Sequence, residues 1–424
     1  VILSAAFVVV AACDHGGSSS DSGSSDSGST GEVTTTGPTT TSTTATTTTD
    51  STTTTTGGST GDETGGETTG GEEEWDWGLP ENYPEPFVPE DNPMTAAKVE
   101  LGRHLFYDAR LSGNETMSCS SCHEQQYGFA DGLAQPTGST GDLVPRNSMS
   151  LTNSAYSFPL TWVAPTLPTL EDQLPVPIFN ETPTELGATP FQDEIPLRFA
   201  DDPLYQELFT AAFPDEADPY TWRSIIQSLA CFVRTMISSD SPWDRYTYGG
   251  DQNAISDSAK RGRDLFFSED LECHHCHGNF NFTLGSKDAS TVFDPIVWAN
   301  TGLYNVGGTG DYPATDQGLF GFTGLEQDKG KFRPPTLRNI AVTGPYGHDG
   351  SVATLEDMIA IYERGGRNVT SGPNAGDGAL NPHKSGFLTG FTLTDQERMD
   401  LLAFLNALTD QTFLTDPKFA NPFE

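Results

Sequence analysis

Apolar side chains recur at helical spacing in two stretches of the chain. In DPYTWRSIIQSLACFVRTMI, residues 218–237, Ile225, Leu229, Phe232 and Met236 fall on one face, as in an amphipathic helix packed on one side. In TLTDQERMDLLAFLNALTD, residues 392–410, Leu401, Leu402, Leu405 and Leu408 form a second stripe, and Thr394 with Glu397 makes a capping box that predicts a helix start. Two further helices are predicted, beginning near Asn92-Pro93-Met94-Thr95 and near Ser256; Pro93 is tolerable only within a first turn. Each carries the text Gly-Arg-x-Leu-Phe, at 102–106 and 262–266, which is an internal repeat. Glycine at 102 and 262 lacks a Cβ and lets a crossing helix approach closely, so the two stripes are the expected partners. Strand-like alternation is scarce. The pattern predicts an all-α protein with two helical domains, residues 75–245 and 246–424.

Residues 14–74 break this pattern. They are almost entirely Ser, Thr, Gly, Asp and Glu, with too few apolar side chains to offset the entropy of ordering them. Residues 13–74 are therefore expected to form a disordered, acidic tether. The chain has a formal net charge of −38, and its first basic residue is Lys98. An acidic chain disfavours nucleic acid and anionic membrane surfaces as partners and leaves a basic docking protein open.

The first residues, VILSAAFVVVAAC, are apolar but too short to span a bilayer. They resemble the end of a bacterial lipoprotein signal peptide, covering residues 1–12, with Val10, Ala11, Ala12 and Cys13 matching the lipobox. Cys13 would then carry the lipid and be the only membrane contact. The alternative is a plain secretory signal with an incidental cysteine. Either reading implies export, to the periplasm or cell envelope.

Of the six cysteines, Cys231 is isolated on the 218–237 helix and reads as a small apolar residue. The other four form SCSSCH, with Cys119, Cys122 and His123, and LECHHCH, with Cys273, Cys276 and His277. One such motif could be a zinc knuckle, a redox pair or a haem attachment site. Two in an exported chain favour haem: two thiols add to the vinyl groups of one haem, and the adjacent His binds the iron. A zinc site built from two CxxC pairs separates them by ~12–20 residues, far less than here. Two cytochrome c-like haem domains are expected.

Further text carries a resemblance. LGRHLFYDARLS, SCSSCH, PRNSMSLTN, PPTLRNIAVTGPYGHDGSVATLED and LTDQERMDLLAFLNAL resemble the bacterial di-haem cytochrome c peroxidase superfamily over residues 80–415. WDWGLP, AIYERGG and NPHKSGFLTGFTL resemble its MauG/MbnH branch. The resemblance implies a peroxidatic N-terminal domain, an electron-transfer C-terminal domain, and Tyr362 as sixth ligand of the second haem, where ordinary members carry Met. A phenolate oxygen favours higher iron oxidation states than a thioether does. Met358, one turn earlier, is the alternative ligand.

The loop after the first motif contains no His, so the distal ligand of many ordinary members is absent and the first iron is expected to be open to peroxide. Met149 is expected to pack in the core. Gln173, Pro177 and Glu185 match the distal groups, with Glu185 as the proton shuttle and Glu181 as its fallback. Trp162 matches the tryptophan that relays charge between the haems, although Val163-Ala164-Pro165 replaces the Asp-Gly-Arg that follows it in ordinary members. Asn147 and the carbonyls of Thr343 and Pro345 match a Ca2+ site, and His348 a haem- or water-orienting residue. His274 and His275 are expected to face outward.

The implied activity is peroxide-driven formation of a paired Fe(IV) state that oxidises an aromatic residue, a Trp, of an MbnP-like partner protein at the surface. The rivals are an ordinary peroxidase fed by a small cytochrome or copper protein, and an electron carrier with no enzymatic activity.

Overall fold

A computed structural model describes residues 75–424, apart from residue 296. The predicted signal segment 1–12, the lipidation site Cys13 and the tether 13–74 lie outside the described residues. Among the described residues, six helices have ten or more residues: α1 Ala96–Tyr107, α2 Pro203–Ala212, α3 Trp222–Arg234, α4 Asp257–Phe266, α5 Leu355–Arg364 and α6 Asp395–Asn406.

Their starts follow from side-chain caps. Thr95 accepts the Lys98 N–H at α1, Thr221 the Ser224 N–H at α3 and Ser256 the Ala259 N–H at α4. Thr394 and Glu397 cap each other's backbone at α6. Pro93 therefore precedes the α1 cap and is not in its first turn. Met236 and Leu408 lie just beyond α3 and α6, yet both are fully buried, and Leu402 sits half-buried on the flank of its helix.

The repeat is structural. A Cβ on Gly102 would lie 2.0 Å from the Ser228 carbonyl oxygen of α3, and one on Gly262 would lie 1.9 Å from the Asp400 carbonyl oxygen of α6. In each pair the helix backbones touch at the shared glycine.

These pairs organise two hydrophobic cores. One gathers Leu101 and Leu105 of α1, Phe209 of α2, Ile225, Leu229 and Phe232 of α3, and also Phe413, Leu414 and Phe419 from near the end of the chain. The other gathers Phe266, Phe282, Ile359, Leu401 and Phe404. Hydrogen bonds hold the returning segment: Gln125 Nε2 donates to the carbonyls of Phe413 and Asp416, both at 3.0 Å, and Tyr107 donates to the Phe419 carbonyl at 2.6 Å. The fully buried Arg338 pairs with the fully buried Asp244 at 2.8 Å.

The fold is mostly helical, with one departure from the all-α expectation: Asn368–Val369 and Gly376–Asp377 pair as a two-residue antiparallel ladder.

Candidate haem sites

Cys119 opens a single 3-10 turn, Cys119–Ser121, and Cys273 precedes the short helix His274–His277. Both motif histidines are oriented the same way. His123 Nδ1 lies 2.8 Å from the Phe129 carbonyl, and His277 Nδ1 lies 3.1 Å from the Phe282 carbonyl. A carbonyl only accepts, so Nδ1 carries the proton and Nε2 keeps the lone pair an iron needs. Burial holds both rings neutral: the His123 pKa is lowered, and that of His277 falls to about 4.

The two acceptors were not visible in the sequence. Phe129 and Phe282 are buried and have φ of 60° and 51°, uncommon for bulky residues. Each turns its carbonyl back onto the histidine before it.

The four motif thiols are poor thiolates. Burial pushes Cys119, Cys122 and Cys273 up to about 12 and raises Cys276 as well. Among the described residues, the one group of three side chains able to share a metal ion is Glu269, His274 and His275, with no cysteine in it. His274 and His275 are partly exposed.

Cys273, Cys276 and His277 open onto a cavity of about 1370 Å³, counting its mouth. Tyr362, Met358, Trp162, His348 and Arg333 line the same cavity, with leucines and phenylalanines between them. Burial, and then the thiols of Cys276 and Cys273, raise the Tyr362 pKa. His348 lies flat on Phe332 at 3.8 Å and is kept neutral by burial, its pKa lowered to about 4.

Trp162 Nε1 donates to the Asn147 carbonyl at 3.1 Å. The Thr161 hydroxyl accepts the N–H groups of Val163 at 3.3 Å and Ala164 at 2.6 Å. Asn147 in turn donates its N–H to the His348 carbonyl and its Nδ2 to the Leu133 carbonyl. Thr343 turns its hydroxyl to the Ile340 carbonyl. The Asn147 strand of chain therefore touches the segment just past Pro345. Met149 departs from expectation: it is half-buried, and its sulfur receives Arg333 Nη2 at 3.8 Å instead of packing in a core.

At the first motif, the Leu186 N–H donates to the Pro177 carbonyl at 3.0 Å, and the Ser139 N–H donates to the Glu185 carbonyl at 2.7 Å. Glu185 is half-buried, its pKa is raised by burial, and its charge acts on the Cys122 thiol. Glu181 is exposed. Gln173 Oε1 is buried without a hydrogen-bond partner. Cys231 is inert as expected: it is fully buried, with its thiol up at about 11.

Two thioether-forming motifs, two pre-oriented imidazoles, an apolar cavity and unsatisfied polar atoms on its wall and at Gln173 fit a pair of c-type haems. A family model described as di-haem cytochrome c peroxidase matches residues 96–253. The chain is 35% identical over 363 residues to the cytochrome-c peroxidase IdrP1 of Denitromonas iodatirespirans, covering 80% of this chain and 88% of that protein. It is 32% identical to the methylamine utilization protein MauG of Methylorubrum extorquens, covering 78% and 82%. A crystal structure of a MauG-like protein associated with microbial copper homeostasis matches with 48% identity and a TM-score of 0.81, covering 82% of this chain and all of that one.

The chain belongs to the di-haem cytochrome c peroxidase family. It is an oxidoreductase that acts on hydrogen peroxide, which removes the electron-carrier reading. Among the described residues no helix is long and apolar enough to cross a membrane.

Proposed function

We propose that the protein is a MauG-type enzyme of the periplasm or cell envelope, tethered by lipid at Cys13, that uses peroxide to oxidise a tryptophan of a docked partner protein. One haem would be held by Cys119, Cys122 and His123, the other by Cys273, Cys276, His277 and Tyr362, with Ca2+ at Asn147, Thr343 and Pro345, all oxygen donors suited to a hard cation. When bound, the haems supply the redox chemistry of peroxide cleavage and hold the oxidising equivalents.

The observation that carries the reading is the Tyr362 side chain, half-buried on the wall of the cavity that Cys273, Cys276 and His277 share. Met358 lines that cavity too and supports the second reading, an ordinary peroxidase fed by a small cytochrome or copper protein. The test is incubation of the holoprotein with peroxide and a Trp-containing protein encoded beside it. Peroxide-dependent oxidation of a partner Trp, seen by peptide mass spectrometry, supports the first reading. Rapid oxidation of a reduced cytochrome, with the Trp intact, supports the second.

Glu185 is the proton shuttle in this reading, moving a proton from the inner to the outer peroxide oxygen, with Gln173 and Pro177 shaping its surroundings. Glu185→Gln is expected to slow the peroxide reaction by ~10²–10⁴-fold, measured by stopped-flow absorbance. The wild-type rate should fall as pH drops through an apparent pKa above the ordinary glutamate value of 4.5, because the base must be ionised; the variant should lack that limb. The same raised pKa means the native state holds its proton more tightly than the unfolded chain. Its contribution to stability therefore declines as pH rises from the unfolded to the folded value.

A further inference from the structure

Arg333 is 3% exposed, and its Nη1 meets neither solvent nor a hydrogen-bond acceptor. Its other groups face the Trp162 loop. The backbone N–H donates to the Trp162 carbonyl at 2.9 Å, Nε to the Thr161 carbonyl at 3.3 Å, and Nη2 to the weak acceptor Met149 Sδ at 3.8 Å. Burial alone lowers its pKa, to about 10, with no carboxylate offsetting it. Arg338, five residues on, shows the ordinary solution: it is equally buried but paired through Nη1 with both oxygens of Asp244, at 3.0 and 2.8 Å.

Arginine does not shed its proton inside proteins. A guanidinium buried without an anion is strongly disfavoured, so the anion must arrive with whatever fills the space beside it. That space is the cavity shared with Cys273, Cys276 and His277. A haem brings two propionate carboxylates, and a guanidinium fork matches a carboxylate.

We propose that Arg333 pairs with a propionate of the haem attached at Cys273 and Cys276 and, through its bonds to Thr161 and Trp162, holds Trp162 in register with that haem. The proposal rests on the haem assignment above. Arg333 is a positioning residue: its cation keeps the propionate ionised and raises the potential of the second haem.

The test is spectroelectrochemistry of the holoprotein as a function of pH, for wild type, Arg333→Gln and Arg333→Lys. A haem count comes first. Fewer than two covalent haems per wild-type chain would overturn the haem assignment itself. With two bound, Arg333→Gln is expected to shift the second haem's potential downward and to add a pH-dependent slope that wild type lacks, because an unpaired propionate takes up a proton on reduction. The first haem's potential should not move. The other titratable groups on the wall, Glu272, His277, Tyr346, His348 and Tyr362, are common to all three proteins and cannot produce the difference. An unchanged potential and slope in Arg333→Gln would overturn the proposal. If Arg333→Gln does not load haem, Arg333→Lys decides. A second-haem potential near wild type and independent of pH supports the pairing, and a lowered, pH-dependent one despite the retained charge overturns it.

Discussion

Gly262→Ala is expected to lower the urea midpoint of the holoprotein sharply, by the equivalent of about 3 kcal/mol or more. The new Cβ would lie 1.9 Å from the Asp400 carbonyl oxygen, 2.5 Å from its carbon and 2.9 Å from the Leu401 nitrogen. All three are backbone atoms of α6, so no side chain can swing aside and the helices must separate. Separation would also loosen Asp400 from Ser258 at 2.5 Å and from Arg261 at 2.7 Å. Gly321→Ala is the control: nothing lies within 4 Å of its Cβ position, and alanine suits a helix better than glycine by ~1 kcal/mol. Unfolding followed by far-ultraviolet circular dichroism and by haem absorbance should show the loss in the first variant and none in the second. Equal midpoints for all three proteins would mean that α4 and α6 do not touch at Gly262.

Tyr362→Phe is expected to abolish partner oxidation while leaving the fold intact. Removing one hydroxyl from a cavity wall costs little stability, but under the proposed reading, in which Tyr362 would be an iron ligand, the loss should exceed the ~10–100-fold typical of supporting residues. Electron paramagnetic resonance of the ferric protein should show one high-spin and one low-spin signal in wild type, both lost after one equivalent of peroxide. In Tyr362→Phe the low-spin signal should be altered and the paired loss absent. Met358→Leu separates the readings: if the thioether is the ligand, this variant changes the low-spin signal and Tyr362→Phe does not.

What the sequence made legible was what is local or repeated. Caps at Ser256 and Thr394, the apolar stripes of α3 and α6, and the glycine of each repeat all lie within a few residues of their effect. Arg333 was missed because its meaning is a missing partner, and a missing partner has no sequence spacing. The choice of Glu185 over Glu181 gains support only from burial, which depends on residues 138–142 and 173–186 meeting. Phe129 and Phe282 were missed because a carbonyl is carried by every residue type, so only backbone geometry marks the two that hold the histidines. The Trp162 hydrogen bond ends on the Asn147 backbone carbonyl, a group every residue type carries, so no pattern could announce it.

The returning segment near the end of the chain bears on biosynthesis. Phe413, Leu414 and Phe419 complete the core that contains α1 and α3, and Gln125, two residues after His123, holds them through the Phe413 and Asp416 carbonyls. During N-to-C synthesis the first CxxCH loop therefore emerges roughly 290 residues before its neighbours, at a few to ~20 residues per second. The wall around that loop therefore stays incomplete until the segment carrying Phe413, Leu414 and Phe419 has been made.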